Sequence, residues 1–263
     1  MRGGGTFRLP PGAFTDDTSM AICLAESLVA CDGHDAADQL RRYVDWYRKG
    51  HNSSTGVCFD IGGTTRLALE RFEATGRTDV ADPSEGAAGN GSLMRLAPAA
   101  LFAASREEAA TLGAASSATT HAAPQSIDAC RLFAILLHDA VAGAPPEQVL
   151  DLDRLPTGDV HPAVAEVVAG SYLEREPPEI RATGYVVRTL EAALWAVSTT
   201  DSFSEAVLRA VNLGEDADTV GAVAGQLAGA LYGEQAIPEA WRSLLFEAER
   251  IGALADALIR RGA

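Results

Sequence analysis

Four glycines recur at every fourth position near the end of the chain, at 221, 225, 229 and 233, three of them within and the last just after a run from Val220 to Tyr232 that is otherwise almost entirely apolar. That spacing keeps them on one side of an α-helix. Each glycine costs a helix interior about 1 kcal/mol relative to alanine. A helix carrying several must recover the loss, and close packing of its bare backbone against another helix does so. The sequence therefore predicts a buried central helix over Asp218 to Tyr232, enclosed by other helices. The run is well short of the ~20 residues that span a bilayer.

Helical periodicity governs the rest of the chain as well. Asp17 to Ala30 places Ala21, Leu24, Ala25 and Leu28 on one face. His34 to Lys49 does the same with Ala37, Leu40, Val44 and Tyr47, and Gly50 follows as a helix stop. Ser105-Arg-Glu-Glu108 is a capping box, with Ser105 as N-cap and Glu108 reaching back. Further helices are predicted over Arg131 to Val141, Tyr185 to Val197 and Ser204 to Val211, and a long amphipathic one over Trp241 to Arg260. No segment has convincing strand alternation, and no Pro/Ser linker or fixed-period repeat divides the chain. These patterns predict one all-α domain over residues 1 to 263.

The chain carries a net charge of −15, from 36 acidic and 21 basic residues. That balance argues against a nucleic-acid groove or a surface for anionic lipid. Cys23, Cys31, Cys58 and Cys130 form no C-x-x-C pair and sit mostly in apolar helical patterns, which reads as buried, reduced thiols in a cytoplasmic protein. Met1 to Pro11 has glycines and prolines where a signal peptide would be apolar.

Two acidic clusters each precede a helix: Thr15-Asp16-Asp17-Thr18 and Asn212-Leu-Gly-Glu-Asp216-Ala-Asp218-Thr219. Either may be read as N-capping, since Asp and Thr are favoured there and the dipole stabilises anions. One acid suffices for a cap, however, and adjacent acids repel. The recurrence of the design also suits a shared hard cation, Mg²⁺ or Mn²⁺, bound through oxygen. Gly89-Asn-Gly-Ser-Leu-Met-Arg95 is either a plain loop or a set of backbone donors for phosphate. His121, in Thr120-His-Ala-Ala-Pro124, is either a structural hydrogen-bonder or a ligand contact. Thr183-Gly184-Tyr185 is a helix start or a ligand-facing turn.

In combination these islands resemble the ADP-ribosylglycohydrolase family, which includes the dinitrogenase reductase-activating glycohydrolases and the ADP-ribosyl-acceptor hydrolases. The stretches that carry the resemblance are GAFTDDTSMAICLAESL, CFDIGGTTRLAL, GNGSLMRLAP, THAAPQ, TGYVVRTLEAALWA and AVNLGEDADTVGAVAGQLAGALYG, in the family's order. The resemblance implies a compact orthogonal multi-helix domain with two divalent cations, Mg²⁺ or Mn²⁺, at the base of an ADP-ribose cleft. It implies Thr15, Asp16, Asp17, Asp216, Asp218 and Thr219 as metal ligands. It places Asn90, Gly91, Ser92, Met94 and His121 along the ADP-ribose, with Gly184 and Tyr185 approaching from a later loop. Asp60 and Asp17 are its candidate catalytic acids, Asp60 having an N-cap or structural carboxylate as the competing reading.

The implied activity is metal-dependent hydrolysis of the N- or O-glycosidic bond between ADP-ribose and a protein side chain or a small conjugate. The alternative is an ADP-ribose-binding or structural homologue with little turnover. The family's pattern begins with a helix carrying G-D-A-x-G ahead of T-D-D-T, whereas here T-D-D-T starts at Thr15. The resemblance therefore implies that this first helix is missing here, either because the homologue is shortened or because its true start lies upstream. The expected consequences are weaker hydrolysis and lower stability or self-association, with a monomer or weak homodimer in solution.

Overall fold

A computed structural model describes residues 2–156 and 158–262. The described residues form thirteen α-helices linked by turns and short 3-10 segments, with pairing between extended segments limited to two isolated bridges. The helices are α1 (Asp16–Cys31), α2 (Ala36–Lys49), α3 (Gly63–Thr75), α4 (Ala97–Phe102), α5 (Arg106–Ala118), α6 (Pro124–Val141) and α7 (Pro146–Val149). They continue with α8 (Pro162–Val168), α9 (Val186–Ser198), α10 (Phe203–Val211), α11 (Ala217–Tyr232), α12 (Glu239–Arg242) and α13 (Ala248–Gly262). None is long and apolar enough to cross a membrane, among the described residues.

Local chemistry sets most of the boundaries. The Asp35 carboxylate accepts the Asp38 amide at the start of α2, and Gly50 closes that helix in the left-handed conformation at φ 69°. Ser105 accepts the Glu108 amide at 3.2 Å. The Glu108 carboxylate takes the amide of Ala104, one residue earlier than the usual capping box. Prolines at the first helical position start α6, α7 and α8, where a missing N–H costs nothing. Pro124 thus begins α6 well before Arg131, the start expected from periodicity.

The core is one cluster, with α6 along its axis. Leu132, Phe133, Ile135, Leu136 and Leu137 of α6 are all buried. α5 lies along α6, while α9 and α11 pack against it from other directions. α1 is held between α2, α4 and α13. Gln226 of α11 fastens the polar loop before α4, donating to the Met94 carbonyl at 2.7 Å and accepting from the Ala97 amide at 2.8 Å.

The glycine stripe faces α10, whose Phe203, Val207 and Val211 repeat with the same spacing. The approach is close at one end only. A Cβ on Gly221 would stand 2.6 Å from Val211 Cγ1, whereas one on Gly225 or Gly229 would meet Val207 or Phe203 at 3.8 Å. The helix nearest the acidic loop is therefore the part that requires a bare backbone.

Two sequence expectations need correction. Trp241 to Arg260 is not one helix: α12 ends at Arg242 and α13 begins at Ala248. The intervening turn docks on the N-terminal segment. Phe246 donates to the Gly12 carbonyl at 3.1 Å, and a Cβ on Gly12 would lie 1.7 Å from the Leu244 carbonyl oxygen. The bend needs Glu247 at φ 54° and leaves Leu244 and Phe246 partly exposed. Of the cysteines, Cys23 and Cys130 are buried, but Cys31 is exposed and Cys58 half-buried. All four are free thiols.

Gly221→Ala is expected to destabilise the protein, by the roughly 1–3 kcal/mol of an overpacked core less about 1 kcal/mol of gained helix propensity. Gly225→Ala and Gly229→Ala, with room for a methyl, should raise stability by about 0.5–1 kcal/mol. Urea unfolding of the three variants separates the cases, and equal effects at all three sites would contradict the asymmetry.

Candidate functional site

The acids of the first cluster lie in the opening turn of α1, where Asp16 and Asp17 are both buried. Thr15 donates to Asp17 Oδ2 at 2.7 Å. Asp17 Oδ1 is buried with no partner, the one carboxylate oxygen in that condition among the described residues. Burial pushes the Asp16 carboxyl far above the usual range, and the negative charges of Asp17, Asp60 and Asp218 add to it. Burial likewise raises Asp17, reinforced by Asp218 and opposed by the Thr15 hydrogen bond. The two acidic clusters, about two hundred residues apart, therefore share one electrostatic field.

The second cluster is held by its loop. Asp216 is the residue before α11, and its amide donates to the Ala182 carbonyl at 3.0 Å. Its Oδ2 accepts from Asn90 Nδ2 at 2.8 Å. Asn90 also donates to Thr189 Oγ1 at 3.0 Å, and its amide reaches the Gly184 carbonyl at 3.1 Å. These bonds tie the glycine loop, the Ala182–Tyr185 segment and the Asp216 loop into one unit.

These elements surround a cleft of about 300 Å³ lined by Asp16, Asp60, the Gly62–Thr65 segment, Gly89, Asn90, Gly91, Met94, His121, Gly184, Asp216 and Thr219. Thr15 and Asp218 line an adjoining hollow with Gly12 and Trp241, and Asp218 is exposed there. Asp60 is exposed on the cleft and adopts φ 59°, a left-handed conformation that aspartate tolerates better than most residues. Gly62, not Asp60, is the N-cap of α3. Partial burial raises the Asp60 carboxyl, and Asp218 and Asp216 raise it further.

One of the residues expected along the ligand is turned into the interior. Ser92 is 1% exposed, and its Oγ lies 2.9 Å from Ser117 Oγ in the interior. Tyr185 is the residue before α9 and pairs through its backbone with Gly89. Asn90 lines the cleft, but its amide nitrogen is turned to Asp216 and Thr189. Sequence reasoning missed Gly62 to Thr65, the first turn of a helix it did not propose. The Gly-Gly-Thr-Thr run was the available signal.

Glycine is required beside His121. A Cβ on Gly91 would sit 2.9 Å from the imidazole Cε1, and one on Gly89 3.2 Å from Nε2. The ring is buried, and burial holds its pKa down to about 3, with the nearby Arg95 cation acting in the same direction. His121 is therefore neutral across the physiological range.

The donor set suits a hard cation. Every candidate ligand is an oxygen, the charges acting most strongly on Asp16 and Asp17 are negative, and Asp17 Oδ1 lacks any partner. No three His, Cys, Asp or Glu side chains among the described residues already converge as a ligand set. The acids gather around a volume, into which threonine hydroxyls and water would add oxygens.

Comparison with known proteins shows the family. The model of the ADP-ribosylglycohydrolase family matches residues 1–263. The chain belongs to the ADP-ribosylglycohydrolase family. It is 44% identical over 259 residues to ADP-ribosylarginine hydrolase Tri1 of Serratia proteamaculans, covering 98% of this chain and 70% of that one. It is 36% identical over 255 residues to the ADP-ribosyl-[dinitrogen reductase] glycohydrolase of Rhodospirillum rubrum, covering 93% and 78% respectively. A solved structure titled ADP-ribosylglycohydrolase-related protein complex superimposes with a TM-score of 0.89 at 47% identity, covering all of this chain and 87% of that one. This ADP-ribosylglycohydrolase thus shares the fold of that solved structure across its full length.

The buried, neutral His121 gives a pH dependence. The unfolded chain binds a proton near pH 6.5 and the folded chain only near 3, so this contribution is complete above pH 6.5 and is lost as pH falls toward 3. At pH 5 the cost is about 2 kcal/mol, from 1.36 kcal/mol per pH interval. Urea unfolding at pH 7 and pH 5 should show a steeper loss in the parent than in His121→Asn. Parallel losses would mean that the folded-state imidazole is protonated near its ordinary pKa.

Proposed function

We propose that this chain is a metal-dependent glycohydrolase that removes ADP-ribose from modified arginine side chains. The observation that carries the reading is the cleft itself. Asp16, Asp60, Asp216 and Thr219 share it with the glycine loop of residues 89 to 91 and with His121. Acids for a cation and neutral donors for a diphosphate are thereby placed within one small volume. The arginine linkage is supported by relatives at 44% and 45% identity, from Serratia proteamaculans and Pseudomonas putida, each named ADP-ribosylarginine hydrolase.

Thr15, Asp16, Asp17, Asp216, Asp218 and Thr219 would hold two divalent cations, Mg²⁺ or Mn²⁺, which supply Lewis acidity and lower the pKa of bound water. The chain's own groups do the rest. Asp17, buried and bonded to Thr15, contributes its unpartnered oxygen beside Asp16. Asp60 is the exposed acid at the rim, with its carboxyl raised by partial burial and by Asp218 and Asp216, and a carboxylate so placed can serve as general base or acid. It takes a proton from the attacking water. The water oxygen bonds to C1″ of the ribose, the bond from C1″ to the guanidine nitrogen breaks, and the proton held by Asp60 passes to that nitrogen as it leaves. Asn90 fixes the direction of the Asp216 carboxylate, and Gly91, Met94 and Gly184 form the wall against which the nucleotide lies. The four free thiols support a reducing, cytoplasmic setting.

The test is release of ADP-ribose from an arginine-modified protein, with Mg²⁺ or Mn²⁺ and with chelator, beside a serine-linked conjugate. Metal-dependent release from arginine is expected. Binding of ADP-ribose without release from either conjugate would favour a binding protein instead. Mn²⁺ should also raise the melting temperature of the parent, and Asp216→Ala should lose that increase. An unchanged Mn²⁺ titration in the variant would remove Asp216 from the metal site.

A further inference from the structure

A buried arginine lies behind the cleft without any carboxylate beside it. Arg95 is 0% exposed and enters none of the ion pairs among the described residues. Its guanidinium stacks on the Tyr43 ring at 4.5 Å, and Nη2 donates to Thr120 Oγ1 at 2.7 Å and to the Ser116 carbonyl at 3.4 Å. A buried charge held by neutral partners alone is costly, which calls for a reason beyond packing. The Thr120 hydroxyl supplies one, since it also lies 2.8 Å from His121 Nδ1.

Donor and acceptor counting orders the three groups. Arg95 can only donate, so Thr120 Oγ1 accepts from it. If His121 Nδ1 were protonated, two donors would converge on that oxygen and the threonine hydrogen would have no acceptor. With Nδ1 unprotonated, each group is used once: Arg95 to Thr120, Thr120 to Nδ1. In the neutral ring the proton must then sit on Nε2. That edge of the ring faces Gly89 and Gly91 and has no hydrogen-bonding partner in the protein.

We propose that Arg95 and Thr120 are positioning residues that lock His121 as the Nε2–H tautomer, so that it presents one neutral donor to an acceptor oxygen of the ligand in the cleft. Resting on the function proposed above, that acceptor is an oxygen of the ADP-ribose moiety. A neutral donor takes an oxygen acceptor and refuses a donor, so the relay adds selectivity without placing a cation opposite the acidic cluster. The Ser117 carbonyl accepts the His121 amide at 2.7 Å and fixes the ring's backbone. The buried state of the imidazole keeps it neutral, as the counting requires.

The tautomer can be read directly by long-range ¹H–¹⁵N NMR of the imidazole in the full chain. The parent should show Nε2 protonated and Nδ1 bare. Thr120→Val, which removes the hydroxyl at nearly constant volume, should mix the tautomers. It should also weaken ADP-ribose binding by about 3–10-fold, the loss of one neutral hydrogen bond. The loss should fall on KM with kcat retained, because the bond serves ground and transition state alike. Thr120→Ser should restore both readouts. A parent with Nδ1 protonated overturns the proposal even if the valine variant fails to fold. So does a folded valine variant with unchanged tautomer and unchanged affinity. A parent with the expected tautomer that binds no ADP-ribose would instead defeat the functional reading and leave the relay in place.

Discussion

The crowding of carboxylates at the foot of the cleft is the constraint that the rest of the fold has to satisfy. Two unit charges 4 Å apart repel by about 4 kcal/mol at an effective dielectric of 20. A domain has only about 5–15 kcal/mol of net stability. Asp16 and Asp17, buried side by side and facing Asp218 and Asp60, cannot all remain ionised without compensation. Three helix N-termini supply part of it. The first turns of α1, α3 and α11 all reach the cleft through Asp16, Gly63 to Thr65, and Thr219, and each brings the positive end of a helix dipole. Protons or divalent cations must supply the remainder. The close approach of α11 to α10 at Gly221 and the clamp from Gln226 to the Met94 carbonyl keep these helix ends from separating.

The sequence reveals the acids more readily than the side chains around them. T-D-D-T and D-A-D-T stand at helix starts, where capping preference, dipole and periodicity all agree, and the structure places both clusters there. Ser92 and Tyr185 lie in the right segments, yet spacing along a loop does not say which way a side chain turns. Ser92 turns to Ser117 in the interior. The start of α3 was hidden for a related reason, because Gly-Gly-Thr-Thr offers neither a capping side chain nor a strong helix former. The break between α12 and α13 was hidden differently. The residues from Arg242 to Arg250 are good helix formers apart from a single serine and phenylalanine, and only the contact with Gly12, distant in sequence, interrupts them.

Asn90 shows how one residue can belong to both halves of such a site. Its backbone is part of the glycine loop, while its side chain belongs to the acidic cluster through Asp216. Any shift of the loop on ligand binding therefore reaches the carboxylate through a single hydrogen bond of 2.8 Å. The bonds from Asn90 and Thr189 to the Ala182–Tyr185 segment keep that coupling stiff.

On the same reading, the walls of the cleft carry no fixed positive charge. Its lining residues are acids, glycines, threonines, an asparagine, a methionine and a neutral histidine, while Arg95 stays behind the wall. A diphosphate entering this space meets neutral donors only, and the nearest fixed charges are negative. If the proposed cations bind, its charge would be balanced by the same cations that relieve the acids, and by linkage metal and nucleotide would tighten one another's binding by the same factor. A lysine or arginine on the wall would hold the phosphates alone, and it would also hold the carboxylates shut in the absence of metal. On the proposed function, keeping the cation behind the wall and the imidazole neutral would make nucleotide binding depend on metal, in a site acidic enough for cations and open enough for an anion.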